Sequence, residues 1–407
     1  MALDPEEFKK RRQERDQKRH SRNRTTIVRL VVALMALIVV GGLILLLARP
    51  KKTTPNPADT TAAPETVIRI AAAGDLNVTE KTVLSGGETY DYTNAFLDVA
   101  PLLADADLTV LNFEGNLYGE PYGTDRSAPQ NMMTALKNAG VDMIQLANSY
   151  SIYKGMHGLT QTIDGIRLSG MEPLGAYADA QEANAKKGYT IRTVNGVKVA
   201  FVAFTKGMDG MALPKGNEGC INLLYTDYAS DYNAIDKEGI NKILTAVEKE
   251  APDITVALLH WGSEFNNNIS ASQESIRDLL YAGGVDAIIG THSHYVQEMS
   301  LNENGQFIAY SLGDFFGDAD RSGSEYSVIL ELEVTKNTAT GETRISGYQY
   351  TPIFTVAEPE QPARVVRIHQ AMKAYENTAL TAVTPETYTA MEYALERIEA
   401  RINPEQK

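Results

Sequence analysis

The sequence predicts an α/β layered domain whose central strands run mostly parallel. Three observations carry that prediction. Short apolar runs rich in β-branched residues alternate with amphipathic stretches of helical period, as strands and helices do in layered α/β folds. Several runs end in Asp, Glu, Asn or His, as strands do when they hand a side chain to the carboxyl edge of a sheet, where open α/β folds bind ligands. The composition, 43% hydrophobic and 22% charged, is that of an ordinary globular protein.

Taken in order, residues 1–29 form a basic tail, with nine Lys/Arg between Lys9 and Arg24. Leu30–Ala48 is a charge-free apolar run of nineteen residues, long enough to span a bilayer as a helix. The excess of positive charge before it predicts a single-pass cell-membrane protein, N-terminus cytoplasmic and C-terminal domain extracellular. A cleaved signal peptide is the competing reading, but no small-x-small site follows the run. No cysteine follows it closely either, which argues against a lipoprotein anchor. Residues 49–66 have the Pro/Thr/Ala composition of an extended linker.

The globular body is expected over 67–357. Val67–Ala73, Leu108–Phe113, Asp142–Ala147, Val197–Thr205, Ile254–His260, Asp286–Gly290 and Phe307–Ser311 read as strands, with Ser327–Val334 a longer edge or hairpin strand. Asn131–Ala139, Leu159–Ser169, Ile235–Lys249 and Ser272–Ala282 read as helices between them. A C-terminal helical extension follows over 358–407. There Thr384-Pro385-Glu386 is a helix start, and Tyr388, Met391, Leu395, Ile398 and Ile402 make a stripe that should pack on the body.

Charge excludes one class of partner. Residues 1–52 carry thirteen Lys/Arg against five Asp/Glu, so a chain of −14 has a remainder of −22. So acidic a body is a poor nucleic-acid binder. Cys220 is the only cysteine, so no internal disulfide holds the fold, and a buried side chain is a better reading for it than a nucleophile. The chain has no Gly-rich phosphate loop with Lys-Ser/Thr, no Gly-x-Ser-x-Gly elbow and no Cys-x-x-Cys pair.

Six strand ends carry groups able to converge: Asp75, Glu114, Asn148, His260, His292 and His294. Three of the six histidines in the chain fall in this set. Carboxylate, amide oxygen and imidazole together suit a divalent ion such as Mn, Fe or Zn. Singly, each has an ordinary reading: a strand-end Asp as a turn residue, a His as a hydrogen-bonded core residue. The tyrosines Tyr118, Tyr122, Tyr150, Tyr153, Tyr225, Tyr228 and Tyr232 read more simply as a half-buried surface than as a polymer-binding groove.

Gly74-Asp75, Asn112-Phe-Glu114, His260-Trp261-Gly262-Ser-Glu264, Gly290-Thr-His292-Ser-His294-Tyr-Val-Gln297 and Tyr310-Ser-Leu-Gly-Asp314-Phe315 come in this order. The series resembles that of the CapA family of bacterial capsule-synthesis, or poly-γ-glutamate synthesis, proteins, over about Val67 to Thr355. That family is similar to calcineurin-like metallophosphoesterases. The resemblance implies a four-layer sandwich of two mixed sheets flanked by helices, facing outward from the membrane. It also implies one or two divalent ions on Asp75, Glu114, Asn148, His260, His292 and His294, with Trp261, Glu264 and Asp314 lining or bracing a substrate pocket. The implied partners are a cell-surface polymer or its precursor and a membrane synthesis or export complex.

The chain departs from the family where chemistry is expected. A family segment Asn-Asn-His, followed by Asp and Gly, is here Asn148-Ser149-Tyr150, followed by Tyr153-Lys154-Gly155. Tyrosine, with an ordinary pKa of about 10, is a poorer general acid at neutral pH than histidine, though it can donate a hydrogen bond to an oxyanion. Asp314 stands where the family has Asn and adds a carboxylate. Two readings follow: a metal-dependent phosphoesterase-like hydrolase or transferase in which Tyr150 and Asp314 take part, or a non-catalytic polymer-binding or assembly protein with a degenerate site.

Overall fold

The structure is a computed structural model and describes residues 64–318, 321–357, 362–377 and 383–403. The chain divides into two compact units. One comprises Met1–Thr66 with Lys336–Thr343; the other, Val67–Thr335 with Arg344–Lys407, carries the site residues described below. The basic tail, Leu30–Ala48 and most of the linker lie outside the described residues. No helix among the described residues is long and apolar enough to cross a membrane.

The strands in chain order are β1 (Glu65–Asn77), β2 (Leu108–Glu114), β3 (Met143–Gln145), β4 (Glu172–Leu174), β5 (Tyr189–Val194), β6 (Val197–Thr205), β7 (Ile254–His260), β8 (Ala287–Thr291), β9 (Met299–Leu301), β10 (Phe307–Ala309), β11 (Asp314–Phe316), β12 (Tyr326–Asn337), β13 (Thr343–Val356) and β14 (Arg364–Arg367). They build two sheets. The larger has the order β14-β13-β12-β1-β2-β3-β4, with β11 also on β1; the smaller has the order β5-β6-β7-β8-β10-β9. β1, β2, β3 and β4 run parallel, and β11 runs parallel to β1. β6, β7, β8 and β10 run parallel, with β5 and β9 antiparallel at the edges, and β13 and β14 pair antiparallel. The fold is thus α/β with two mixed sheets, and the parallel core follows from helical crossovers that two-residue turns cannot replace.

Strand alternation decides what each face covers. Ile68, Ile70 and Ala72 of β1 and Leu108 and Val110 of β2 meet Val199 and Phe201 of β6, Val256 and Leu258 of β7 and Ile289 of β8 in one buried cluster between the sheets. The intervening residues Ala73, Leu111 and Phe113 face a second cluster, with Met132, Met133 and Leu136 of the helix Gln130–Asn138 and Leu159, Ile163 and Ile166 of the helix Gly155–Leu168. Each buried aliphatic side chain contributes about 2 kcal/mol, so the two clusters fix the sheets against each other and against the helices. The helices Lys237–Glu250 and Ala271–Ala282 bury single stripes, Ile240, Leu244 and Val247 in one and Ile276, Leu279 and Leu280 in the other. The Tyr281 hydroxyl donates to the Phe307 carbonyl at 3.0 Å, tying the second helix to β10.

Expected and observed elements differ mainly at short pieces. β6 and β7 coincide with their predicted limits. β4, β9, β11 and β14 are three or four residues long, too short to show a period. β14 lies within the region expected to be wholly helical. The C-terminal helix spans Pro385–Ile402, and the Thr384 hydroxyl accepts from the Thr387 N–H as its cap. Its Met391, Ile398 and Ile402 enter the cluster between the sheets, with Tyr388 and Leu395 packed at the margin.

Candidate metal centre

The parallel strands bring their carboxyl ends to one place. Register pairs Asn77 with Glu114 and Asp75 with Asp314 in the larger sheet, and Thr205 with His260 and His260 with Thr291 in the smaller one. The close approach of β1 and β11 depends on glycine: a Cβ on Gly74 would stand 1.8 Å from the Gly313 carbonyl oxygen. The Asp75 N–H donates to that same oxygen at 3.0 Å. Gly290 plays the matching part in β8, where a Cβ would stand 2.0 Å from the Tyr310 carbonyl oxygen.

Two buried groups result. Glu114, His260 and His292 present ligand atoms within 4.8 Å of one another, and so do Asp75, His294 and Asp314. Asp75 links them: its Oδ1 lies 3.9 Å from His260 Nδ1 and its Oδ2 3.8 Å from His294 Nδ1. The His292 N–H donates to Asp75 Oδ2 at 2.9 Å, and Asn112 Nδ2 donates to Asp75 Oδ1 at 2.6 Å. His292 and His294 both adopt positive φ, 89° and 59°, an uncommon state for side chains other than Gly and Asn that recurs at ligand sites.

Protonation follows from the surroundings. Burial holds His260 well below the ordinary imidazole pKa, with His292, His294 and Lys206 adding to the effect. Burial does the same for His292, with Lys206 and His294 contributing. Both rings are therefore neutral, the form that ligates metal. Burial opposes charge on His294 too, but Asp314, 2.7 Å from its Nδ1, and then Glu114 and Asp75 lift it to about 10. Burial raises Asp75 to about 6, Asp314 adding to the rise, while His294 and the donors Asn112 and His292 oppose it. Burial also pushes Glu114 well above the carboxylate range, with Asp75 adding.

The donor set fits a divalent cation on an observation internal to the site. Neither ring nitrogen of His292 has a hydrogen-bond partner, and neither does Glu114 Oε1, all three atoms being buried. Glu114 Oε1 lies 3.0 Å from His260 Nε2 without aligning as a hydrogen bond. Unpaired buried polar atoms cost about 1–3 kcal/mol each, and an ion held by one ring nitrogen of His292 together with Glu114 and His260, whose ligand atoms lie within 4.8 Å of one another, would relieve part of that cost. These groups could hold a metal ion.

The other expected residues divide. Asp314 faces His294 directly. Asn148 departs from the expected ligand role: its Nδ2 donates to Asn112 Oδ1 at 3.1 Å and the Phe113 carbonyl at 2.7 Å, and its Oδ1 accepts from the Tyr150 N–H. It braces the ends of β2 and β3. Trp261, expected to line or brace the pocket, is placed to brace rather than to contact substrate: it is 1% exposed, and its indole N–H donates to the Tyr310 carbonyl at 2.9 Å. Glu264 is exposed, and its charge is felt by both Tyr150 and Lys206. Tyr150 accepts from Arg126 Nη2 at 2.9 Å, and burial pushes its phenol to about 12, Arg126 opposing and Glu114 adding.

Four participants were not foreseen. Asn112 bonds Asp75; the Ser149 hydroxyl lies 3.0 Å from His260 Nε2; Thr291 Oγ1 lies 3.2 Å from His260 Nδ1; Phe265 stacks on the His294 ring at 4.9 Å. Asn112, Ser149 and Thr291 each sit inside or beside a quoted motif, which was the available signal; nothing marked Phe265.

Fold and site together define an α/β protein with a buried His/carboxylate centre at the strand ends of two mixed sheets. The family profile of the bacterial capsule synthesis protein PGA_cap matches residues 69–319, and the chain belongs to that family. The capsule biosynthesis protein CapA of Bacillus anthracis is 26% identical over 257 residues, covering 61% of this chain and 59% of that one. The PGA biosynthesis protein CapA of Bacillus subtilis (strain 168) is 26% identical over 265 residues, covering 63% and 64%. The chain therefore spans about three fifths of the length of these curated relatives. Among solved structures, the calcineurin-like phosphoesterase YfkN from Bacillus subtilis aligns with a TM-score of 0.45 at 16% identity, over 82% of this chain and all of that one. A Mycoplasma pneumoniae phosphatase aligns at 0.43 and 14%, over 72% of this chain and 95% of that one.

Proposed function

We propose that this is a membrane-anchored, outward-facing protein of capsule, poly-γ-glutamate or related cell-surface polymer synthesis or export, and that it handles an anionic polymer or precursor at a divalent-metal centre. The observation that carries the metal reading is the buried trio of unpartnered atoms, His292 Nδ1 and Nε2 and Glu114 Oε1. Family membership supports the capsule context. The charge-free span Leu30–Ala48 behind nine Lys/Arg supports the anchor and its orientation. Glu114, His260 and His292 would hold one ion, and Asp75, His294 and Asp314 a second. Mn, Fe or Zn bound there supplies a Lewis acid that polarises a carboxyl or phosphoryl oxygen. Asn112 and the His292 N–H hold Asp75 in place, while Asn148 aligns the loop that carries Tyr150.

Binding is favoured over turnover by one detail. Tyr150 stands where the family's acid is expected, and its phenol, raised to about 12, keeps its proton at neutral pH. It offers a hydrogen bond rather than a proton to transfer. The second reading, a metal-dependent phosphoesterase, rests on the retained carboxylate and histidine set. Elemental mass spectrometry of the purified full-length chain tests the common core of both readings. One or two Mn, Fe or Zn per chain, lost in His292→Ala, is the expected result; absence of metal after reconstitution overturns it.

A further inference from the structure

The cations nearest the metal centre differ from most others on this acidic body. Arg69, Lys137, Lys154, Arg167, Arg192 and Lys198 all sit within 4 Å of a carboxylate. Arg126 and Lys206 form no such pair among the described residues. Each instead lies over a tyrosine ring, Arg126 at 4.2 Å from the Tyr150 centroid and Lys206 at 4.6 Å from that of Tyr232. Both are anchored at the rim by backbone. The Arg126 carbonyl accepts from the Asn116 N–H at 2.7 Å, two residues past Glu114. Lys206 directly follows β6, its N–H donating to the His260 carbonyl at 2.8 Å, and its Nζ donates to the Gly262 carbonyl at 2.9 Å. One cation thus comes from the larger sheet and one from the smaller.

Both cations adjoin the ligand-bearing segments: Arg126 Nη2 donates to the Tyr150 hydroxyl at 2.9 Å, and Lys206 is bonded through its backbone to His260. Both side chains are half-buried. Among the described residues, the Lys206 ammonium meets only the Gly262 carbonyl and the Tyr232 ring, neither of which neutralises its charge. Keeping two unpaired cations half-buried is costly unless an anion completes them.

We propose that Arg126 and Lys206 form a two-sided clamp for one oxyanion, a carboxylate or phosphate of the ligand, at the mouth of the His/carboxylate centre. Arg126 supplies a planar donor fork and Lys206 a point charge; the rings of Tyr150 and Tyr232 hold both in place by cation–π contact. The role rests on the proposed function for the ligand's position beside a metal, but the clamp is a property of the two cations themselves.

Calorimetric titration of the full-length protein, metal-loaded and metal-free, with inorganic phosphate and separately with glutarate tests it. The expected result is that Arg126→Gln and Lys206→Gln each weaken the bound probe about tenfold, with metal content unchanged and the thermal midpoint of the probe-free protein level or higher. Arg126→Lys and Lys206→Arg, which keep the charge but not the donor geometry, should recover part of the affinity. The probe that responds identifies the oxyanion. Binding of both probes at wild-type strength by both Gln variants overturns the clamp, as does failure of both probes to bind the wild-type protein at millimolar concentration. A protein that takes up no metal but whose phosphate or glutarate binding still depends on Arg126 and Lys206 removes the metal reading and keeps the clamp.

Discussion

The backbone N–H of His292 donates to Asp75 Oδ2 at 2.9 Å, joining the carboxyl end of β8 in the smaller sheet to that of β1 in the larger. The bond uses the same bent backbone, φ 89° at His292, that turns the imidazole into the centre. His292→Ala should therefore act on metal far more than on fold. Bound metal should fall by at least about tenfold, while the thermal midpoint of the metal-free protein stays level or rises, because two unpartnered buried nitrogens are removed. A collapse of the metal-free protein would instead make His292 a structural residue.

Metal uptake should depend on pH with a definite sign. In the metal-free protein burial raises Asp75 to about 6. A carboxyl whose folded-state pKa is raised contributes stability present below its unfolded value and lost as pH rises through about 6. Metal reverses this, since it binds the ionised form and releases the proton. The thermal shift on adding Mn or Zn should be large at pH 8, shrink through pH 6 and vanish below about pH 5. A shift that is constant from pH 5 to 8 would place the ion elsewhere.

Part of this centre was legible because Glu114 and His260 end apolar runs whose composition betrays a strand, and His292 directly follows one. β6 and β7 could be bounded to the residue, and His260 follows from the end of β7. Long-range partners were not legible. Asn148 looked like a ligand because it ends an apolar strand and the resemblance placed it in the ligand set, but the Phe113 carbonyl and the Tyr150 N–H claim its amide. Trp261, which the resemblance placed as lining or bracing the pocket, is buried and stacks on Tyr310. Phe265 carried no period or motif; only the loop after β7, whose Phe265 N–H reaches the Ser293 carbonyl at 2.8 Å, places it on His294.

Gly74→Ala should separate packing from chemistry. The added methyl group would fall on the Gly313 carbonyl, 1.8 Å away, and backbone cannot swing aside as a side chain does. Moving β11 would break the Asp75–Asp314 register as well as the sheet. A loss of about 3 kcal/mol in denaturant unfolding is expected, with metal uptake reduced even in the fraction that folds. Wild-type stability in this variant would mean that β1 and β11 are not so closely apposed.

Tyr150 decides between binding and turnover. Its hydroxyl accepts from Arg126 and its phenol is held at about 12, so it stays neutral across the physiological range. A group whose pKa lies far above the working pH transfers its proton poorly. The metal-loaded wild-type protein should hydrolyse bis-p-nitrophenyl phosphate slowly, and Tyr150→Phe should leave that rate nearly unchanged. Tyr150→His restores an imidazole at the family's position and should raise the rate about a hundredfold, with a rate that follows ionisation near pH 6–7. High turnover in the wild-type protein that falls in Tyr150→His would instead make the phenol part of a working hydrolase, and the binding reading would be lost.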